Sequence, residues 1–296
     1  MERLTNISTV RELLSRHGFT FSKALGQNFL INPSVCPRMA DAAVTDENTG
    51  VLEIGPGIGV LTNELLKWAK KVVAVELDKR LIPVLGETLS EYDNLKVINA
   101  DVMELDLNRL IAEEFPDMRV VVCANLPYYI TSPILMKLLE ERLPVETITV
   151  MVQKEAALRL CAAEGSRESS AITAAVRYYA EPQLLFHVSS GSFMPAPKVD
   201  SAVIRLTLRE PECKPHDEKL FFRVIKAAFA QRRKTVLNSM ASSLSLDKSE
   251  LSGILESAGV SPTARAEKLT LNDFARISDA MEEAGICSGK QKNTGG

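Results

Sequence analysis

The chain has 296 residues, 46% of them apolar and 25% charged, and a formal net charge of −3, which is the composition of a soluble globular protein with room for two cores. No run approaches the roughly 18 apolar residues of a membrane helix, and the first residues, MERLTNISTVRELL, lack the apolar core of a signal peptide, so the composition points to a cytoplasmic protein and no membrane partner. Five scattered cysteines without a CxxC pair, and three dispersed histidines, argue against a disulfide scaffold and predict no metal site.

Residues 9–18 read as a first helix, with Thr9 and Glu12 as a capping box, Leu13 and Leu14 on an apolar edge and Gly18 at the C-terminal end. The stretch FTFSKALGQNFLINPSV (19–35), rich in Asn, Ser and Gly, reads as a loop. Short β-rich runs then alternate with helical patterns: 51–55, 71–77, 95–101, 119–125 and 147–153. Such alternation predicts βαβ units and a mostly parallel sheet of the Rossmann-like α/β class. Two further strands, 184–189 and 201–209, flank FMPAPKVD and suggest a closing hairpin.

PECKPH (211–216) reads as a linker. Beyond it the pattern is helical, with Phe221, Phe222, Ile225, Ala228 and Phe229 on one face, Leu251 to Ala258 on another before Gly259, and a start at Thr270 and Asp273. The expected division is a domain over 1–210, whose extension 1–35 closes over a ligand, a small all-helical domain over 217–285 and a disordered tail over 286–296.

In VLEIGPGIGVLTNELL, Gly55, Gly57 and Gly59 stand between a strand and a helix, where glycine lets the backbone approach a ligand. Glu76 closes the next strand, placed for ribose hydroxyls, and Asp101 closes the one after, where a carboxylate can accept from an adenine amine. Each piece has a plainer reading: a Gly turn alone is a weak nucleotide signal, Asp101 alone suits a turn cap, and Glu76 alone suits an exposed strand end. Their succession at consecutive strand ends selects a nucleoside-bearing ligand. The GxGxG spacing, and Glu53 ahead of it, disfavour a nicotinamide cofactor and favour S-adenosyl-L-methionine.

Asn125, Leu126, Pro127 and Tyr128 end the fourth strand of the series. An adenine amine is a poor nucleophile because its lone pair is delocalised into the ring. Acceptors on the Asn125 side chain and the Leu126 carbonyl would draw the nitrogen towards a tetrahedral form, Pro127 would stiffen the turn, and Tyr128 would stack on an extruded base. The same four residues also fit an ordinary turn with tyrosines capping a core; Tyr129 is assigned that core role. In 217–240, six basic residues stand against two acidic ones, and Arg232, Arg233 and Lys234 suit phosphate binding, as they also suit a plain solvated face. Lys23 and Lys198 lie in loops that would add to the same field.

SKALGQNFL, EIGPGIG, AVELD, NAD, NLPYY, FMPAPKVDSAV and AFAQRRKTVLNSM, in this order over about 19–280, resemble the KsgA family of small-subunit ribosomal RNA adenine dimethyltransferases. The resemblance implies dimethylation of N6 on two adjacent adenosines in a 3′-terminal hairpin loop of 16S rRNA. It implies S-adenosylmethionine contacts from Asn28, Leu30, Gly55, Glu76, Asp101 and Asn125, with Gln27 and Gly57 in the same motifs, and Phe193 as a second stacking partner for the target base. The expected partner is rRNA within an immature small subunit, bound by a monomer. Three alternatives stay open: a resistance-type large-subunit rRNA methylase, which typically carries NIPY or NIPF; an assembly or transcription factor that binds without turnover; and a nicotinamide dehydrogenase.

Overall fold

A computed structural model describes residues 4–22 and 27–287, so Lys23 and the part of the expected tail from 288 onward lie outside the described residues. The chain forms nine strands: β1 (Phe29–Leu30), β2 (Thr49–Ile54), β3 (Lys71–Glu76), β4 (Leu95–Asn99), β5 (Arg119–Asn125), β6 (Thr147–Gln153), β7 (Ala180–Val188), β8 (Phe193–Met194) and β9 (Ser201–Leu208). Seven of them make one sheet in the order β4-β3-β2-β5-β6-β9-β7. β2 runs parallel to β3 and β5, β3 to β4, and β5 to β6, whereas β9 is antiparallel to β6.

β2 is buried along its whole length, and β5 at every position but its two ends. This is why 120–124 reads as an unbroken apolar run, and why 49–54 is apolar at Val51, Leu52 and Ile54 with Glu53 the one charged side chain buried among them: a parallel strand between layers of helix has no wet face. Helices follow the strands, among them Val60–Leu65 after β2, Leu107–Glu114 after β4 and Thr131–Glu140 after β5. The expected closing hairpin contains an extra piece, because β8 lies between β7 and β9 and pairs outside the main sheet, antiparallel to β1.

The first helix spans Ile7–Arg16, and its cap differs from the expected one. Asn6 Oδ1 accepts from the Ser8 N–H at 2.9 Å and the Thr9 N–H at 3.4 Å. The earlier start puts Thr9 inside the first turn, and Glu12 pairs along the helix with Arg16 at 3.2 Å instead of reaching back to the cap. The helix start expected at Thr270 and Asp273 is present, as a capping box with both reciprocal bonds.

Two compact units emerge, one of Met1–Ala157 with Glu181–Leu208, the other of Leu158–Ala180 with Arg209–Gly296. The largest difference from the division read from the sequence is the segment 158–180, which joins the second unit; residues 209–216 and 286–287 fall in that unit as well. The segment's helix Ala171–Tyr179 packs on the helix Glu218–Phe229: the rings of Tyr178 and Phe221 lie 5.1 Å apart, and Tyr179 stacks on Phe222 at 5.6 Å. Both tyrosine hydroxyls donate to the Glu218 carboxylate, at 3.1 and 2.8 Å. Tertiary aromatic packing, invisible to local periodicity, assigns this segment to the helices.

Candidate active site

The strand order reverses between β2 and β5, so the connections leaving their carboxyl ends diverge and open a crevice. A cavity of about 370 Å³ occupies that place, within the ordinary range for a small-molecule site. Gln27, Asn28, Leu30, Gly55, Gly57, Glu76, Asp101, Asn125, Leu126, Pro127, Tyr128 and Phe193 all line it. These twelve candidate cofactor and substrate contacts therefore reach one cavity, whereas Gly59 of the same turn and Lys198 are not among its described lining residues.

The floor is the turn after β2. Gly55 has φ +70° and Gly57 φ +61°, and a Cβ on Gly57 would stand 3.2 Å from the Phe29 ring. Glycine is needed there for both the dihedral and the space. The turn is tied to β3, since Gly57 N–H donates to Glu76 Oε2 at 3.1 Å and Asp78 N–H to Glu76 Oε1 at 2.8 Å. Burial raises the pKa of Glu76, and the bonds from Asp78 and Gly57 offset part of that rise.

Gln27 bridges two segments instead of pointing freely inward. Its Nε2 donates to Asp78 Oδ2 at 2.8 Å and its Oε1 accepts from Ser22 N–H at 2.8 Å. Asp78 is also gripped by Arg80, from Nε at 2.9 Å and Nη2 at 2.7 Å. The guanidinium bond, helped by Gln27, holds the Asp78 carboxyl down at about 2. Asp101 plays two parts, lining the cavity while its Oδ1 accepts from Met103 N–H at 2.8 Å.

One wall is the β1–β8 ribbon, in which Leu30 is paired with Phe193 and Phe29 with Met194. Ile31 N–H donates to the Ser192 carbonyl at 2.8 Å and Asn32 Nδ2 to Ser192 Oγ at 3.1 Å. These bonds fasten the N-terminal segment to the FMPAP segment and set Phe193, 3% exposed, against the cavity.

The opposite wall is the end of β5. Among the described residues, neither the Asn125 side chain nor the Leu126 carbonyl has a hydrogen-bond partner, so two acceptors stand available side by side. The Pro127 carbonyl is occupied, accepting from Ile130 N–H at 3.2 Å and Thr131 Oγ1 at 3.0 Å. Tyr128 Oη is 2.6 Å from Ser201 Oγ, and burial raises the tyrosine's pKa, keeping it a neutral ring. Tyr129 corrects the sequence reading: it is 56% exposed and lines the cavity, not the core. β5 ends at Asn125, so strand alternation no longer governs residues 128 and 129.

Sequence reading missed Asp78, Ser201 and the state of Glu53. Asp78 was legible as the last letter of AVELD; nothing local singles out Ser201, which meets Tyr128 only through the β6–β9 pairing. Glu53, 1% exposed, has an Oε2 without a hydrogen-bond partner, and burial lifts its pKa to about 8.

In the second unit, Arg232, Arg233 and Lys234 are exposed in the turn between the helices Glu218–Phe229 and Val236–Leu244, and Arg232 Nη2 donates to the Arg167 carbonyl at 2.5 Å. Lys198 is exposed in the loop after β8. No cluster of metal-ligating side chains occurs among the described residues, and no described helix is long and apolar enough to cross a membrane.

The sequence profile of the family described as "Ribosomal RNA adenine dimethylase" matches residues 18–283. A protein of Geobacillus thermodenitrificans named "Ribosomal RNA small subunit methyltransferase A" is 49% identical over 277 residues, covering 92% of this chain and 94% of that one. A protein of the same name from Streptococcus thermophilus is 45% identical over 289 residues, covering 96% and 100%. Among solved structures, a dimethyladenosine transferase from Plasmodium falciparum superposes with a TM-score of 0.69 at 28% identity, covering 87% of this chain and 98% of that one. The 23S rRNA methyltransferase ErmE superposes with a TM-score of 0.64 at 28% identity, covering 86% and 100%.

Proposed function

The chain belongs to the ribosomal RNA adenine dimethylase family, and from that premise we propose that it transfers methyl groups to N6 of two adjacent adenosines in the 3′-terminal hairpin loop of 16S rRNA, with S-adenosyl-L-methionine as donor. The observation that carries this reading is the meeting, in one cavity, of the Gly turn, the strand-end acids Glu76 and Asp101, and the free acceptors of Asn125 and Leu126. Among the described residues three carboxyls line that cavity and no lysine or arginine does, a donor set suited to a positively charged ligand bearing a ribose and an adenine. When bound, S-adenosylmethionine supplies an electrophilic methyl group.

The residues of the chain supply the rest. Glu76, fixed by two backbone N–H groups, accepts from ribose hydroxyls, and Asp101 accepts from the donor's adenine amine through the oxygen that Met103 does not use. Asn28 and Leu30 close the cavity from the N-terminal side, and Gln27 holds that segment to Asp78. At the far end, Asn125 Oδ1 and the Leu126 carbonyl accept the two N–H bonds of the target amine and localise its lone pair. Tyr128 and Phe193 hold the extruded base between them, with stacking worth on the order of 1–3 kcal/mol per base. No general base is needed, because the rate gain lies in alignment and in acceptors fixed before the reaction. After the first transfer the methylated nitrogen sheds one proton to solvent, leaving one N–H, which either acceptor can hold for the second.

Arg232, Arg233 and Lys234 contribute phosphate contacts, which give affinity and register but not base choice. The substrate is 16S rRNA within an immature small subunit, met in the cytoplasm by a monomer. The relatives named for the small subunit and the NLPY sequence at the target motif favour this over large-subunit methylation, which the likeness to ErmE keeps in view. The test incubates the chain with radiolabelled S-adenosylmethionine and undermethylated small or large subunits, then identifies the labelled nucleoside. Dimethyladenosine in small-subunit RNA is the expected result. Label confined to large-subunit RNA would establish the resistance-type activity, and donor binding without any label would leave a binding factor.

A further inference from the structure

Glu53 is a buried carboxyl for which the transfer chemistry has no use. It sits at the end of β2, 1% exposed, and borders the cavity, yet its Oε2 has no hydrogen-bond partner. The fully buried Thr62 hydroxyl is the polar group set to interact with this carboxyl, and it offsets only part of the burial.

Among the described residues, the ionisable groups that couple to Glu53 are acids and thiols. They are Glu76 from β3, Cys123 beside it on β5, and Cys36 on the helix Val35–Ala43, with Glu64 of the helix Val60–Leu65 acting on Cys36. Burial, and the proximity of Glu53, push both thiols up, so neither supplies a charge. Among the described residues no cation answers Glu53, and a buried carboxylate without one is expensive. The missing positive charge is the one the proposed ligand brings.

We propose that Glu53 makes the cavity prefer the positively charged methyl donor to its neutral product, by carrying a proton in the free protein, giving it to solvent when the cation enters, and regaining one after the charge has gone. The proposal rests on the functional reading above. S-adenosylmethionine carries a sulfonium as well as an ammonium; S-adenosylhomocysteine has lost the sulfonium and has no net charge. A carboxylate facing the cavity therefore stabilises the donor complex more than the product complex, and its electrostatic contribution is large because the surroundings are dry. The sign is fixed by Glu53 being protonated below about pH 8 in the free protein. Donor affinity should rise with pH up to that point, while product affinity rises less. The ammonium that both ligands carry titrates in the same range and cancels between variants.

The experiment is calorimetric titration of the full chain at neutral pH with S-adenosylmethionine and with S-adenosylhomocysteine, each in two buffers of different ionisation enthalpy. The wild-type protein should release a larger fraction of a proton with the donor than with the product. Glu53→Gln, an uncharged replacement of the same shape, should abolish that excess and narrow the donor-to-product affinity ratio roughly tenfold, the equivalent of one pKa unit. Equal proton release with both ligands in the wild type would overturn the proposal without reference to any variant. An unchanged excess in Glu53→Gln would overturn it too. Failure of the folded chain to bind the donor at all would bring down the functional reading, and this inference with it.

Discussion

Tyr128 Oη and Ser201 Oγ are 2.6 Å apart, a hydrogen bond between residues 73 positions apart in the chain. Ser201 is fully buried at the start of β9, which β6 holds antiparallel beside β5, so the bond references the ring of Tyr128 to the sheet. A ring fixed in this way presents its face to a base without first losing rotamer freedom.

Ser201→Ala should leave the fold and donor affinity intact and lower kcat/KM for RNA by about fivefold, the effect of losing one hydrogen bond worth about 1 kcal/mol. Tyr128→Ala removes the stacking surface and should cost on the order of 10- to 100-fold. Parallel donor titrations and single-turnover rates separate the effects. An equal loss of donor affinity in both variants would mean that the bond supports the cofactor half of the cavity.

Asn125→Ala removes one of the two acceptors and should lower the rate of methyl transfer by roughly 10²- to 10³-fold, the range for one preorganised polar group. Donor affinity should change far less. Near-normal turnover would remove the acceptor role.

Gly57→Ala puts a side chain on a residue with φ +61° whose Cβ would meet Phe29 at 3.2 Å. The expected cost is about 1 kcal/mol of stability. Donor affinity should also fall, because the displaced turn carries the N–H that fixes Glu76. Thermal melts with and without donor measure both; an unchanged ligand-induced shift would show that the turn does not position the ligand.

Asp78 predicts a particular acid sensitivity. Its carboxyl titrates at about 2 in the folded protein against an ordinary 3.8. Because the folded value is depressed, its stabilisation is fully present above pH 4–5 and fades as pH falls towards 2, amounting to on the order of 1–2 kcal/mol. Asp78→Asn should be less stable at neutral pH and should lose that part of the acid dependence. Denaturant midpoints across this interval test it.

Replacing Arg232, Arg233 and Lys234 with glutamine should weaken RNA binding and reduce the slope of log affinity against log salt by about 2, near 0.7 for each phosphate contact with single-stranded RNA. Donor binding should not change. An unaltered slope would mark the three as a solvated turn.

The strands at 119–125 and 147–153, the Gly turn and the two strand-end acids were legible because each follows from a local rule: apolar runs for buried parallel strands, glycine for positive φ, a carboxylate where a strand stops. The cap at Asn6, the place of 158–180 and the exposure of Tyr129 were not. Each depends on a competitor or partner that local pattern does not rank: an earlier capping side chain, the aromatic cluster with Phe221 and Phe222, and the end of strand alternation at Asn125.

The alternating α/β order, the helical C-terminal part and the residue types at successive strand ends follow from local pattern alone, because backbone propensity and burial period act over a few residues. Long-range packing settles the rest: among the described residues Glu53 Oε2 has no hydrogen-bond partner, the Pro127 carbonyl is taken by the following turn while that of Leu126 is not, and Phe193 joins Leu30 in one wall. Desolvation and hydrogen-bond satisfaction are properties of the whole surroundings of an atom, and those surroundings come from strands far apart along the chain.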